Sequence, residues 1–249
     1  MNLDQSDIRD AFFDRVYEWG ARDKNVVFIS ADMDAFSLRR FSKDFSDQYI
    51  NVGVAEQNMI NVAAGLALSG KIVFCYSIAS FATLRCYEQI KVNLCSLNLP
   101  VTIIGAGAGF SFGYDGPTHH GHQDLSSMRL LPEMSIVELS SNDLAQKAVD
   151  FSFENNGPLY IRLDKGPFPE WKNSDVDFSK GYRILKPLNK LNLVTNGYMT
   201  RTALKVADRL IAEGIGCGVV DLFKVKPCAS NFLEEVIYRS AKIVSIEES

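Results

Sequence analysis

The chain has 249 residues, 47% of them hydrophobic and 22% charged, with 26 basic against 30 acidic side chains for a net charge of −4. That is enough apolar chain to bury a core without disulfides or a metal, and the acidic balance lacks the basic footprint of a nucleic-acid-binding domain. No apolar run approaches the roughly 18 residues of a membrane span, and the start is polar with no secretory pattern, so a cytoplasmic protein with neither nucleic acid nor membrane as partner is expected.

Residues 7–21 carry Ile8, Phe12, Val16 and Trp19 at helical spacing, with Ser6 or Asp4 as the cap. A short apolar run at 25–29 predicts a buried strand. Residues 58–69 predict a helix with Met59, Val62, Ala63 and Leu66 on one face, stopped by Gly70. A strand at 72–78, a long helix at 81–97 ending before Pro100, and a strand at 101–104 follow. A helix at 143–154 and a strand at 159–163 continue the alternation.

Such alternation predicts an α/β fold with a mostly parallel sheet and helices on both faces. The character changes after residue 165, where Lys165-Gly166-Pro167-Phe168-Pro169 and a polar stretch read as a linker. Strands at 191–195, 218–223 and 242–246 then alternate with helices at 200–213 and 230–240. The expected organisation is a first domain at 1–165, a linker at 166–189, and a short second α/β domain at 190–249 that stops just after a strand and looks incomplete.

The five cysteines, Cys75, Cys86, Cys95, Cys217 and Cys228, show no CxxC spacing and read as small buried hydrophobes rather than redox or metal groups. All three histidines fall in His119-His120-Gly121-His122. Metal ligands normally converge from separated positions or from a helical i, i+4 pair, so no metal is assigned here. A substrate-facing loop suits them better, since imidazole is the natural hydrogen-bonding and proton-transfer group near neutral pH. This loop, with Gly105-Ala106-Gly107-Ala108-Gly109 at its start, follows the carboxyl end of an expected parallel strand, where open α/β sheets bind ligands. Phe110 stands where a dinucleotide fingerprint has its third glycine, so that reading fails.

Asn51-Val52-Gly53-Val54-Ala55-Glu56-Gln57 places a carboxylate at a helix start, a position that the helix dipole alone would favour. Phe81, Leu84, Arg85, Tyr87 and Glu88 share a helical segment. A core-facing stripe explains Phe81 and Leu84 but explains Arg85 less well.

Taken in order, Asn51 to Gln57, Ala64-Gly65-Leu66-Ala67, Tyr87-Glu88-Gln89-Ile90, Asp115-Gly116-Pro117-Thr118-His119 and Leu131-Pro132-Glu133-Met134 resemble the thiamine-diphosphate-dependent transketolase family. The resemblance covers nearly the whole chain and corresponds to the carboxy-terminal half of a full-length enzyme. It implies transfer of a two-carbon ketol unit between sugar phosphates. Glu56 would then hydrogen-bond the aminopyrimidine and promote loss of the cofactor's C2 proton, with Phe81, Leu84 and Tyr87 packing on that ring. His119 would contact the sugar near the reacting carbonyl, Asp115 a substrate hydroxyl, and Arg162 a phosphate, with Arg9 and Ser37 as weaker phosphate contacts. Leu84 stands where many members have another aromatic. Gly107 stands where many carry a substrate histidine, and His120 replaces a usual Gln.

The family holds the diphosphate through Mg²⁺ on a Gly-Asp-Gly…Asn segment, and no Gly-Asp-Gly occurs in this sequence. The resemblance therefore implies a split enzyme. This chain would be the pyrimidine side and a diphosphate-binding N-terminal subunit its partner, two of each forming a heterotetramer. Two alternatives stay open: a deoxyxylulose-phosphate-synthase-like or 2-oxo-acid decarboxylating subunit, and a non-catalytic partner subunit.

Overall fold

The computed structural model describes residues 6–171 and 176–248. The Asp4 cap and part of the polar linker stretch lie outside them. Helix α1 (Ile8–Arg22) forms on the expected apolar spacing, burying Ile8, Phe12, Phe13 and Val16. Its cap is Asp7 rather than Ser6, the carboxylate accepting from the Arg9 amide at 2.9 Å. Strand β1 (Val26–Ser30) is buried throughout. Helix α2 (Phe36–Asp44) and strand β2 (Tyr49–Asn51) then appear in a stretch without a readable apolar pattern, because each is short and α2 buries only Ser37, Leu38 and Phe41.

Helix α3 (Glu56–Leu68) begins two residues earlier than expected, so that Glu56 opens it. Strand β3 (Ile72–Ile78) follows. The long helix expected at 81–97 is interrupted. Helix α4 (Ala79–Thr83) ends, Cys86 adopts φ −119° and ψ 24°, and α5 (Tyr87–Gln89) restarts and runs on as a π-helical turn, Ile90–Cys95. The apolar spacing could not report this, because the interruption is a local backbone deviation.

Strand β4 (Val101–Ala106), helix α6 (Asp124–Arg129), strand β5 (Ser135–Glu138), helix α7 (Asn142–Glu154) and strand β6 (Leu159–Leu163) complete the first part. The rest is β7 (Arg183–Lys186), β8 (Leu191–Thr195), α8 (Met199–Ala212), β9 (Cys217–Asp221), β10 (Lys224–Lys226), α9 (Ser230–Phe232), a π-helical turn at Leu233–Ile237, and β11 (Lys242–Ile246).

The large sheet has the order β10-β5-β6-β4-β3-β1-β2, parallel except for β10. The small sheet has the order β11-β8-β9-β7, parallel except for β7. Two differences from the expected boundaries follow. Strand β7 lies inside the stretch expected as linker, and β10, from the expected second domain, extends the first sheet. A short strand needs only an open edge to pair with, and that edge is invisible in local sequence.

Along β3, Phe74 and Tyr76 point into one apolar layer with Phe12, Phe13, Phe28 and Phe41. Val73 and Cys75 point into the other with Ile29, Met59, Ile90 and Ile103. This is the period-two alternation of a sheet covered on both faces. Cys75, Cys86, Cys95 and Cys217 are buried free thiols, and Cys228 is exposed. No helix among the described residues is long and apolar enough to cross a membrane. Register pairs Ser30 with Tyr76, Ile78 with Ala106, and Ala106 with Leu163. The carboxyl ends of β1, β3, β4 and β6 therefore lie side by side, and the segments that leave them meet.

Candidate active site

Glu56 is set by the turn before α3. Gly53 takes φ +70°, and the Asn51 side chain accepts from the Gly53 amide at 2.9 Å and the Asp32 amide at 3.2 Å. This holds the turn closed over the end of β2. Glu56 is 1% exposed. The Ser77 hydroxyl donates to Oε1 at 3.2 Å, and Arg85 Nη1 donates to Oε2 at 2.7 Å. The Arg85 guanidinium also lies over the Phe81 ring, 3.9 Å from its centroid, and its side chain is 39% exposed. Phe81 also meets the His119 ring edge-on at 5.0 Å. Glu56, Arg85, Phe81 and His119 thus form one continuous row at the carboxyl end of β3 and β4.

The loop that carries His119 is held from behind. Gly107 donates to the Leu163 carbonyl at 2.8 Å, and Gly109 and Gly121 exchange backbone hydrogen bonds at 3.0 and 2.9 Å. A Cβ on Gly121 would stand 2.6 Å from the Gly107 carbonyl, so only glycine fits. The Ser80 hydroxyl donates to the Thr118 carbonyl at 2.8 Å, and Thr118 Oγ1 lies 3.0 Å from His119 Nδ1. His120 and His122 turn away from this row and pack on Phe110 at 4.9 and 4.1 Å. His120 Nε2 is 3.4 Å from the Gly113 carbonyl. Among the described residues no group of three His, Cys, Asp or Glu side chains is placed to hold a metal ion.

The remaining expected residues separate. Asp115 is exposed on the turn Gly113–Asp115 of the same loop. Leu84 is 41% exposed beside the row. Tyr87 packs on the layer containing Met59, its hydroxyl donating to the Ser127 carbonyl at 3.1 Å, which ties α5 to α6. Arg9 is part-buried, paired with Asp7 at 2.8 Å, and lies beside the Tyr76 hydroxyl, which burial pushes up to about 12. Ser37 is buried, and its amide donates to Asp10 at 3.2 Å.

Arg162, expected to meet a phosphate, is buried. Its Nε and Nη2 bind Asp124 at 2.9 and 3.1 Å, and Nη1 binds Glu138 at 2.9 Å. Nη2 and Nη1 also donate to the carbonyls of Gly121 at 2.6 Å and Glu248 at 3.1 Å. The fork is saturated by protein groups, and the Gly121 bond anchors the His119 loop. Burial pushes the Glu138 carboxyl up to about 7, although Arg162 opposes this.

Several groups give no sign of themselves in the sequence. Ser77 reads only as strand, yet its hydroxyl touches Glu56. Lys165, in the stretch that reads as linker, sits just past the end of β6 with Nζ 4.0 Å from the Phe112 ring centroid, while Phe112 in turn lies 6.3 Å from His119. It is a partly exposed cation three residues on from Arg162. The departure at Gly107 also has a physical side. Its φ is +86°, and a Cβ there would overlap the Phe112 ring, so Phe112 fills the space a larger side chain would need.

Residues 4–170 match the model of the transketolase pyrimidine-binding domain, and residues 181–249 that of the transketolase C-terminal domain. The chain is 34% identical over 243 residues to the 6-deoxy-6-sulfo-D-fructose transketolase subunit SqwH of Clostridium sp. (strain MSTE9), covering 97% of this chain and 74% of that protein. It is 35% identical over 224 residues to a subunit of the apulose-4-phosphate transketolase of Actinobacillus succinogenes, covering 90% and 72%. A 1-deoxy-D-xylulose-5-phosphate synthase of Listeria monocytogenes is 32% identical over 234 residues, covering 92% of this chain and 38% of the synthase. Among solved structures, a split-gene transketolase in an inactive beta4 tetramer superposes with a TM-score of 0.87 at 32% identity, covering 98% of this chain and 80% of that one.

Proposed function

The chain belongs to the transketolase family as one subunit of a split, transketolase-type transferase, and from that premise we propose that its Glu56–Phe81–His119 row is the pyrimidine-side half of the catalytic centre. The observation that carries this is a carboxylate buried at a helix start, sharing its oxygens with planar and hydroxyl donors, next to an aromatic face and a histidine on one loop. Those groups fit a flat, nitrogen-bearing ring: the carboxylate takes its edge and Phe81 its face.

Thiamine diphosphate, when bound, supplies the activated carbon that carries a two-carbon ketol unit from a ketose to an aldose. Glu56 holds a proton between its Oε2 and a ring nitrogen, a task that suits a carboxylate shielded from water and fixed by Ser77. Phe81 orients the ring, with Tyr87 and Leu84 bordering it. His119, backed by Thr118, reaches the substrate oxygen nearest the reacting carbon, and Asp115 takes a sugar hydroxyl. Lys165 and Arg9, rather than Arg162, meet the substrate phosphate, because they are part-exposed cations at this end of the sheet and Arg162 is enclosed; Ser37 is a weaker contact.

The site is half of one. Phe36, Val54, Leu84, Phe110 and Tyr114 are large hydrophobic side chains left exposed in segments that leave the carboxyl ends of β1, β2, β3 and β4. An apolar rim around a polar row suits a covering partner that excludes water. That partner is a diphosphate-binding N-terminal transketolase subunit bringing the Mg²⁺ ligands, in a heterotetramer built on a homodimer of this chain, acting on sugar phosphates in the cytoplasm.

The test is to tag this chain in its own host, recover it with its partner, and assay ketose plus aldose phosphates beside pyruvate. Ketol transfer without decarboxylation of pyruvate is the expected result. Release of CO₂ from pyruvate would favour the synthase-like reading, to which the chain's likeness to deoxyxylulose-phosphate synthase gives some weight.

A further inference from the structure

We infer that Arg85 is a displaceable stand-in for the ring that Glu56 and Phe81 hold, occupying their site until the cofactor arrives; this rests on the role proposed for that row. A guanidinium is flat, delocalised and edged with N–H donors. Arg85 uses both properties together. One edge nitrogen donates to Glu56 Oε2 at 2.7 Å, and the guanidinium carbon lies over the Phe81 ring, 3.9 Å from its centroid. These are the two contacts that a nitrogen heterocycle would make there. Ser77 takes one Glu56 oxygen and leaves the other to a single planar partner, and the Phe81 ring is also met edge-on by His119. The guanidinium and the heterocycle therefore compete for the same oxygen and the same aromatic face.

The setting suits release. Arg85 springs from residues 84–86, where the helix is interrupted between α4 and α5, and its side chain is 39% exposed. It has an outward path to water, where the charge is well solvated. Glu56 has none, being 1% exposed. Without Arg85 the empty chain would bury an unpaired carboxylate, a costly arrangement. With it, the carboxylate of the empty site is paired and the Phe81 face is covered, and loading exchanges one planar donor for another. The exchange lowers apparent cofactor affinity by the fraction of time the site is free of Arg85.

The experiment uses the chain assembled with its diphosphate-side partner, titrated calorimetrically with thiamine diphosphate at saturating Mg²⁺. Arg85→Met should tighten the Kd by about tenfold, the gain expected if Arg85 leaves the site open roughly a tenth of the time. Arg85→Lys, able to pair with Glu56 but not to lie flat on Phe81, should tighten it less. An unchanged or weaker Kd in Arg85→Met overturns the inference. A second readout needs no cofactor. In the isolated chain, Arg85→Met should lower the melting midpoint, and adding Glu56→Gln should restore part of the loss; additive effects of the two changes overturn it too. If the wild-type assembly takes up no thiamine diphosphate, the proposed function falls and this inference with it. If wild type binds and Arg85→Met binds no tighter, only the inference falls.

Discussion

Arg85 and Arg162 both reach carboxylates near the carboxyl end of the large sheet. Arg85 gives one nitrogen to Glu56, rests on an aromatic face and keeps 39% of its side chain in solvent. Arg162 has no solvent exposure of its side chain and spends its donors on Asp124, Glu138 and the carbonyls of Gly121 and Glu248. The second arrangement is structural: every donor is spoken for, and a ligand would have to break several charge-assisted bonds to enter. The first is exchangeable. The same residue type therefore serves opposite ends within one site, and what separates them is how many of their donors the protein itself consumes.

The sharpest test of that contrast is Glu56→Gln. The variant should fold, because the amide oxygen can still accept from Arg85 while the amide NH2 donates to the Ser77 hydroxyl, which takes the acceptor role. Ketol transfer by the assembled enzyme should drop about a thousandfold or more, since a positioned proton-transfer group is lost. Near-normal turnover would remove Glu56 from the chemistry and leave its pair with Arg85 as mere packing.

Arg162→Met should act on stability instead, costing about 3–5 kcal/mol by stranding Asp124 and Glu138, read from urea unfolding of the chain. Its effect on KM should be the same for phosphorylated and neutral sugars. A loss confined to phosphorylated substrates would restore the phosphate role that burial argues against.

His119→Asn should reduce kcat/KM about a hundredfold with little change in melting temperature, because the side chain packs edge-on against Phe81 rather than in the core. An equal loss of stability would mean that the loop, rather than the imidazole, is what matters.

The smallest effect concerns Glu138 beside Arg162. Its carboxyl is raised from 4.5 to about 7, with burial as the cause. The native chain therefore keeps a proton that the unfolded chain has released. This contribution to stability is full below the unfolded value and is lost as pH rises through about 7. Unfolding free energy should slope downward across that window by up to about 1 kcal/mol per pH unit, and Glu138→Gln should flatten the slope.

Much of the fold was legible because its signals are local. The helix at Ile8–Arg22 and the strands at Ile72–Ile78 and Leu159–Leu163 lie on apolar periodicities that a buried face requires. Helix α2 and strands β2, β5, β7 and β10 were not legible, since short elements take their stability from a sheet edge or a neighbouring helix rather than from their own pattern. The interruption at 84–86 was hidden in the same way, inside a stretch whose apolar spacing reads as one helix.

Within the site, the order of motifs around Glu56, Phe81 and His119 announced which residues belong together, and the parallel register brings them together. Their consumption by neighbours was not announced. Asp124 and Glu138 lie 38 and 24 residues from Arg162 in sequence, and Ser77 lies 21 from Glu56. Sequence by itself determined the family, the alternating architecture and the candidate chemistry, because these rest on residue types and short-range order. Only the tertiary structure decided that Arg162 is enclosed, that Lys165 is the more open cation and that Arg85 covers Glu56. Burial and donor saturation depend on strands and loops that are distant in the chain and meet only when the sheet closes.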